Sequence, residues 1–283
     1  MSRVLPNGRY VPDNPKGRGK KASDHVIAKW INKYRGFVYG AMLGDATITR
    51  RGAMATLRMV QGVGQKEYLY WKYGLMRQIA NEPTHFVSQA PWGVRDTWFF
   101  SASSSVEWQR IWSIFHEGSL KVQSGKRMVV PKIVNRRILD EIDPLGLAIW
   151  FLDDGYLHRK HRWGWLCTLN FTRDENELMA RWFKERYDID VNVSKHVQRK
   201  ILTYWQLYIT VKGMEKLQRI ISPYVPACMM YKLLEPSTGQ GHLLRPLTVG
   251  RDEDALRTVG QPAESPEMSD RSRDNAWVSI DEG

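Results

Sequence analysis

The chain repeats itself once. Residues 36–48 read GFVYGAMLGDATI and residues 145–157 read LGLAIWFLDDGYL, each an apolar, helix-compatible run ending in an acid and then a small residue. Setting Asp45 on Asp154 gives an offset of 109 residues. Such a duplication constrains the architecture more than any local pattern, because one supersecondary unit must be built twice. The pieces downstream of each acid keep the same order. After Asp45, strand-like stretches at 46–50 and 55–61 precede a helix at 65–80, and strands at 84–90 and 95–101 precede a helix at 105–116. After Asp154, strands at 155–159 and 164–171 precede a helix at 174–187, and strands at 190–199 and 201–210 precede a helix at 211–221. The strands follow from alternation at period two and the helices from apolar spacing near 3.6. The expected fold is α+β, built from two pseudo-symmetric αββαββα repeats. A basic flexible arm is expected at 1–24, the first repeat at 25–125, a connection at 126–144, the second repeat at 145–235, and an acidic, disordered tail at 236–283.

Gly36, Gly40 and Gly44 recur every four residues, on nearly one helix face. Glycine inside a helix costs roughly 0.5–1 kcal/mol relative to alanine, so three at this spacing imply a packing reason: a second backbone can approach closely. The second copy offers Gly146 and Ala148. If the two motif helices pack side by side at the repeat interface, Asp45 and Asp154 emerge together at one end. Two close carboxylates repel unless a cation lies between them. Hard divalent ions, Mg²⁺ above all, take oxygen ligands from a few carboxylates, waters and phosphates, and ions held this way activate water and stabilise a leaving oxygen. One isolated Gly-Asp or Asp-Asp-Gly reads as a cap or turn; two in equivalent repeat positions read as a metal-binding pair.

Charge narrows the partner. Lys and Arg number 42 against 30 Asp and Glu, a formal net of +12. Residues 247–283 hold four Arg and nine acids, a net of −5, so the remaining chain carries +17. A field of that sign attracts polyanions. The two cysteines, Cys167 and Cys228, are too few for a disulfide framework and fit a reduced, intracellular setting. No apolar run is long enough to span a membrane, and no leader-like segment opens the chain. His158 and His161 lack zinc-site spacing and a cysteine pair, so zinc is not expected. The twelve Trp and twelve Tyr read mostly as core and interface.

The stretch 191–200 alternates, with Val191, Val193 and Val197 on one face and Asn192, Ser194, His196, Gln198 and Lys200 on the other. In the next strand Tyr204, Gln206 and Tyr208 alternate with more apolar neighbours. Amide, hydroxyl and cationic groups on one sheet face can read base edges in a major groove.

GAMLGDA and LAIWFLDDG resemble the motif that names the LAGLIDADG homing endonucleases, in their single-chain form with two motif copies. The resemblance extends over about 30–235 and takes in LRMVQGVGQKEYLYW, KRMVVPK and PYVPACMMYKLLEP. It implies that two saddle-shaped antiparallel sheets straddle DNA and that Asp45 and Asp154 bind the catalytic metal, Mg²⁺ with Mn²⁺ as a substitute. Asp153 aligns with Gly44 and is not the implied ligand. Gln61, and Asn170 at the corresponding place, would orient the catalytic water. Lys232 and Lys126, with Arg127 as the alternative to Lys126, would be the basic residues beside the metal. Asn192, Ser194, His196, Gln198, Lys200, Tyr204 and Gln206 would contact DNA. Ala46 stands where the family more often has glycine. The implied activity is that of a monomeric, metal-dependent endonuclease cutting both strands of a long, nearly palindromic DNA site and leaving short 3′ overhangs. A non-cleaving relative such as an intron RNA maturase, with the chain's own intron RNA as partner, is the alternative. The opening Met and the lack of splicing blocks favour a free-standing or intron-encoded protein over an intein-borne domain.

Overall fold

The computed structural model describes residues 3–4, 10–11, 22–90, 93–124, 127–198 and 202–234. In chain order the elements are β1 (Arg3–Val4), β2 (Tyr10–Val11), α1 (Asp24–Lys33), α2 (Arg35–Leu43), β3 (Thr47–Arg51), β4 (Met54–Gly62), α3 (Lys66–Met76), β5 (Thr84–Ala90), β6 (Gly93–Ser101) and α4 (Val106–Phe115). Then come β7 (Val122–Ser124), β8 (Arg127–Val129), α5 (Arg136–Asp140), α6 (Pro144–Asp154), β9 (Gly155–His158), β10 (Trp163–Leu166), α7 (Arg173–Tyr187), β11 (Val191–Gln198), β12 (Leu202–Ile209) and α8 (Val211–Ile221).

Two four-stranded antiparallel sheets result, ordered β3-β4-β6-β5 and β9-β10-β12-β11. The strand orders match, so the duplication read from the sequence is a duplication of topology. In each sheet one face is covered by helices: Ala55, Leu57 and Met59 are buried in β4, and Leu207 and Ile209 in β12. The opposite faces are left open.

The helix starts follow local chemistry. The Asp143 side chain accepts from the Gly146 amide and Pro144 occupies the first turn of α6, where a missing N–H costs nothing. Thr172 and Glu175 close a reciprocal capping box on α7.

The two repeats meet along α2 and α6, which touch backbone to backbone. A Cβ added at Gly40 would stand 2.0 Å from the Gly146 carbonyl oxygen, and one added at Gly146 would stand 2.1 Å from that of Gly36. The periodic glycines therefore exist for close approach. Phe37–Leu43 and Leu147–Leu152 are buried around this seam.

Some expectations need correction. Helix α1 was not anticipated, although Ser23 caps it and Ile27, Trp30 and Ile31 form its buried face. The strand expected over 164–171 ends at Leu166, because the chain turns, Phe171 N–H bonding to the Thr168 carbonyl at 3.0 Å, to start α7. The tail at 236–283 lies outside the described residues. Among the described residues no helix is long and apolar enough to cross a membrane.

Candidate active site

Asp45 follows α2 directly and Asp154 ends α6, so the packed seam delivers both acids to one place. Burial pushes the Asp45 carboxyl above the usual carboxylate range, and repulsion from Asp153 adds to it. Asp154 is pushed further, well above that range, by burial and by repulsion from Asp45 and Asp153. Gln61, buried on the helix-covered face of β4, donates from Nε2 to Asp45 Oδ2 at 2.9 Å.

Two lysines close the ends of the motif helices. Lys232 donates to the Leu152 carbonyl of α6 at 2.5 Å. Lys132 donates to the carbonyls of Met42, Gly44 and Ala46 at 2.6, 3.4 and 2.9 Å, at the end of α2. The C-terminal end of a helix carries partial negative charge, which would worsen the burial of two carboxylates there; the ammonium groups offset it. Burial holds both lysines below their ordinary range, Lys132 at about 8, against the attraction of the three aspartates.

Lys132 is the counterpart of Lys232 at the end of the other motif helix, and it is the last residue of KRMVVPK, the stretch in which Lys126 or Arg127 is the expected basic residue. Lys126 lies outside the described residues, as does the side chain of Arg127 in β8.

Asn170 is also displaced from its expected role. It lies exposed in the turn after β10. Extending the Gly155↔Leu166 register puts Thr168 where the first repeat has Gln61, and Thr168 is buried against Asn176 Oδ1 at 2.5 Å.

Asp153 was set aside by the sequence alignment with Gly44, and its environment explains why it can be an acid. Its Oδ1 accepts from Lys72 Nζ at 2.5 Å and from the Tyr68 hydroxyl at 2.9 Å, and its Oδ2 from the Asp45 amide at 3.3 Å. Both side chains of the Lys72–Asp153 pair are excluded from solvent. The pair joins α3 of the first repeat to α6 of the second.

On the open face of the second sheet, Asn192 pairs with Tyr208, Ser194 with Gln206 and His196 with Tyr204 across the β11–β12 ladder. Asn192 and His196 are exposed. The side chain of Gln198 and all of Lys200 lie outside the described residues.

The donor set suits a hard divalent cation. Asp45 and Asp154 are half-buried, mutually repelling carboxylates, while the nearby Lys132 ammonium is occupied by three carbonyls. Among the described residues no group of three or more His, Cys, Asp or Glu gathers around a common point. An ion at this pair would complete its shell with water or phosphate oxygens.

Known proteins share the sequence pattern and the fold. Residues 35–217 match the model of the LAGLIDADG DNA endonuclease family. The chain is 30% identical over 138 residues to the probable intron-encoded DNA endonuclease 3 of Mycosarcoma maydis, covering 48% of this chain and 93% of that one. It is 28% identical to the cytochrome b mRNA maturase bI2 of Saccharomyces cerevisiae, over 76% of this chain but only 50% of the maturase, so it spans about half of that relative. The fold matches that of the homing endonuclease I-WcaI, solved bound to its DNA recognition sequence, with a TM-score of 0.61, 19% identity, and coverage of 77% and 96% of the two chains. With the doubled motif, the glycine-packed seam and the family match over most of both repeats, the chain belongs to the LAGLIDADG DNA endonuclease family.

Proposed function

We propose that this protein is a metal-dependent, site-specific endonuclease that cuts both strands of double-stranded DNA, acting as a monomer on a long, nearly palindromic site. The observation that carries this reading is the pair Asp45 and Asp154, brought together and half-buried at the ends of two helices packed backbone to backbone. Mg²⁺, with Mn²⁺ as a substitute, would be held by these two acids and would supply Lewis-acid activation of water and stabilisation of the leaving oxygen. Gln61 holds Asp45 through its amide nitrogen, which leaves its carbonyl oxygen to orient the attacking water. Lys132 and Lys232 set positive charge beside the carboxylates, where it lowers the cost of negative charge developing on the phosphate. Asn192, Ser194, His196, Tyr204 and Gln206 lie on one sheet face, suited to base edges, while Lys and Arg hold the backbone and set register. Cleavage of each strand near one acid would leave short 3′ overhangs.

Selection of cleaved molecules from a randomised duplex library tests the reading. With Mg²⁺ a single long, nearly palindromic site should be enriched, and with EDTA none. Failure to enrich any site with Mg²⁺ or Mn²⁺ would count against it.

A second reading, an intron RNA maturase, is favoured by the match to the yeast maturase over three quarters of this chain. Tight, metal-independent binding to a folded intron RNA without DNA cleavage would support it.

A further inference from the structure

The two halves of the candidate site share a topology but not a support. Asp45 is held by its backbone and by its carboxylate: its amide donates to Asp153 Oδ2 at 3.3 Å, and its Oδ2 accepts from Gln61 Nε2 at 2.9 Å. Asp153 is fixed in turn. Its Oδ1 accepts from Lys72 Nζ at 2.5 Å and from the Tyr68 hydroxyl at 2.9 Å, and the ammonium lies 4.2 Å from the centre of the Tyr68 ring. Tyr68 and Lys72 stand four residues apart on α3, so one helix face presents both. Tyr68, Lys72 and the Asp153 side chain are all excluded from solvent.

Asp154 has neither support. Gly44 takes the place of Asp153 in the first copy, and Thr168 takes the place of Gln61 in the second, its hydroxyl donating to Asn176 Oδ1 at 2.5 Å. The buried face of α7 carries Asn176, Met179, Trp182 and Phe183 and no ammonium. Among the described residues none donates a hydrogen bond to the Asp154 carboxylate. Nor can the seam take a second such network, because a Cβ at Gly44 would lie 2.8 Å from the Asp153 side chain.

Stability does not account for the three side chains. A buried ion pair adds little over apolar groups of the same volume, because desolvation offsets the attraction. Position does account for them. A catalytic group displaced by about 1 Å can lose about 10²-fold in rate, and locked neighbours keep such a group in place. Lys72 and Tyr68 lock Asp153, and Asp153 locks the backbone just past the end of α2.

On the nuclease reading above, in which each strand is cut near one acid, we infer that Lys72, Tyr68 and Asp153 are positioning residues for Asp45 alone. They act through its backbone and not on the phosphate. The two halves of the centre are therefore unequal: the strand beside Asp45 is cut first, and the second cut follows from a nicked duplex. Each cut adds one water across one phosphodiester bond, leaving a hydroxyl end and a phosphate end.

A triple variant of the full chain, Lys72→Met with Tyr68→Phe and Asp153→Leu, tests it. The three changes exchange the network for apolar side chains of similar shape, so no buried charge is left unpaired, and they remove the acceptor of the Asp45 amide. Without metal or DNA, that amide should exchange its hydrogen with solvent about tenfold or more faster than in the wild type, read by NMR. In single-turnover cleavage of the selected duplex with Mg²⁺, each strand carries its own fluorophore. The wild-type chain should cut one strand about tenfold or more faster than the other, and the triple variant should lose the difference by slowing the faster strand. Slowing of both strands alike would mark a general loosening of the fold and overturn the inference. Equal rates on the two strands by the wild-type chain would overturn it without reference to any variant, as would an unchanged exchange rate at Asp45 in a folded triple variant. A wild-type chain that cuts no duplex fails the nuclease reading instead, and the exchange rate, which needs neither metal nor DNA, still decides whether these side chains hold Asp45.

Discussion

The backbone amide of Asp45 donates to the side chain of Asp153, 3.3 Å away in the other repeat. One motif copy thus positions the acid of the other through a carboxylate that is itself held by Lys72 and Tyr68. The repeats are symmetric in topology and asymmetric here, because Gly44 occupies the place of Asp153 in the first copy. A Cβ at Gly44 would lie 2.8 Å from the Asp153 side chain, so one copy must yield the space that the other fills.

Removing one partner of the buried Lys72–Asp153 pair should be costly. Lys72→Met leaves Asp153 without its cation in a site closed to solvent, and breaking such a pair costs about 3–5 kcal/mol. Urea unfolding should show a loss of that order. A loss below about 1 kcal/mol would mean that water reaches the carboxylate.

The glycine seam should be equally intolerant. Gly40→Ala puts a methyl group against the Gly146 backbone, which has no rotamer to move, and overpacking of this kind costs typically about 1–3 kcal/mol or more. Gly64→Ala meets nothing within 4 Å and serves as the control. Thermal unfolding should separate the two variants clearly; matching melting temperatures would show that α2 and α6 can part without loss.

Stability should fall as pH drops through the range of one histidine. His116 stacks on Trp112, with ring centroids 4.3 Å apart. Burial holds its pKa below the ordinary value of 6.5, with repulsion from Lys132 and Arg50 acting the same way against the bond to the Trp112 carbonyl. The unfolded chain then binds the proton more readily, so this contribution is complete above about pH 6.5 and is lost as pH falls through the folded value. Between pH 7.5 and 5.5 the wild-type urea midpoint should fall relative to that of His116→Gln, while the raised Asp45 and Asp154 carboxyls act in the opposite sense in both proteins. An identical slope in the variant would assign the effect to other groups.

The lysines at the helix ends should matter for rate. Lys132→Met and Lys232→Met each remove a charge beside the carboxylates, and loss of one such electrostatic contact costs about 10²–10³ in rate. Single-turnover cleavage should slow by that order while DNA affinity holds. Weakened binding at an unchanged rate would make these lysines phosphate anchors instead.

The repeat and its acids were legible because both are written locally: glycine spacing needs no knowledge of a partner, and Asp45 and Asp154 follow their apolar runs in both copies. The order of elements along each repeat was legible for the same reason. Lys132 was not, because its role depends on reaching carbonyls 86 to 90 positions away, and KRMVVPK offers three cations with equal local claims. Lys72 was hidden inside an aromatic helix, where only the Asp153 carboxylate across the seam explains a buried ammonium. Asn170 misled because alternation seemed to carry the strand past Leu166; the capping box at Thr172 and Glu175 was the competing signal, and it shortens the strand. Helix α1 is capped by Ser23 and its buried face follows the spacing of Ile27, Trp30 and Ile31, but it follows directly on a basic stretch rich in Pro and Gly, which carries no helical pattern.

Single-turnover cleavage of the selected duplex by Asp45→Asn and by Asp154→Asn, with Mg²⁺ and with folding checked by circular dichroism, is the decisive measurement. Each substitution keeps the shape of the side chain and removes the charge a cation needs. Both variants should bind the duplex, stay folded and leave it uncut on both strands. Cleavage at the wild-type rate by either variant would contradict the assignment of these two acids as the metal-binding pair.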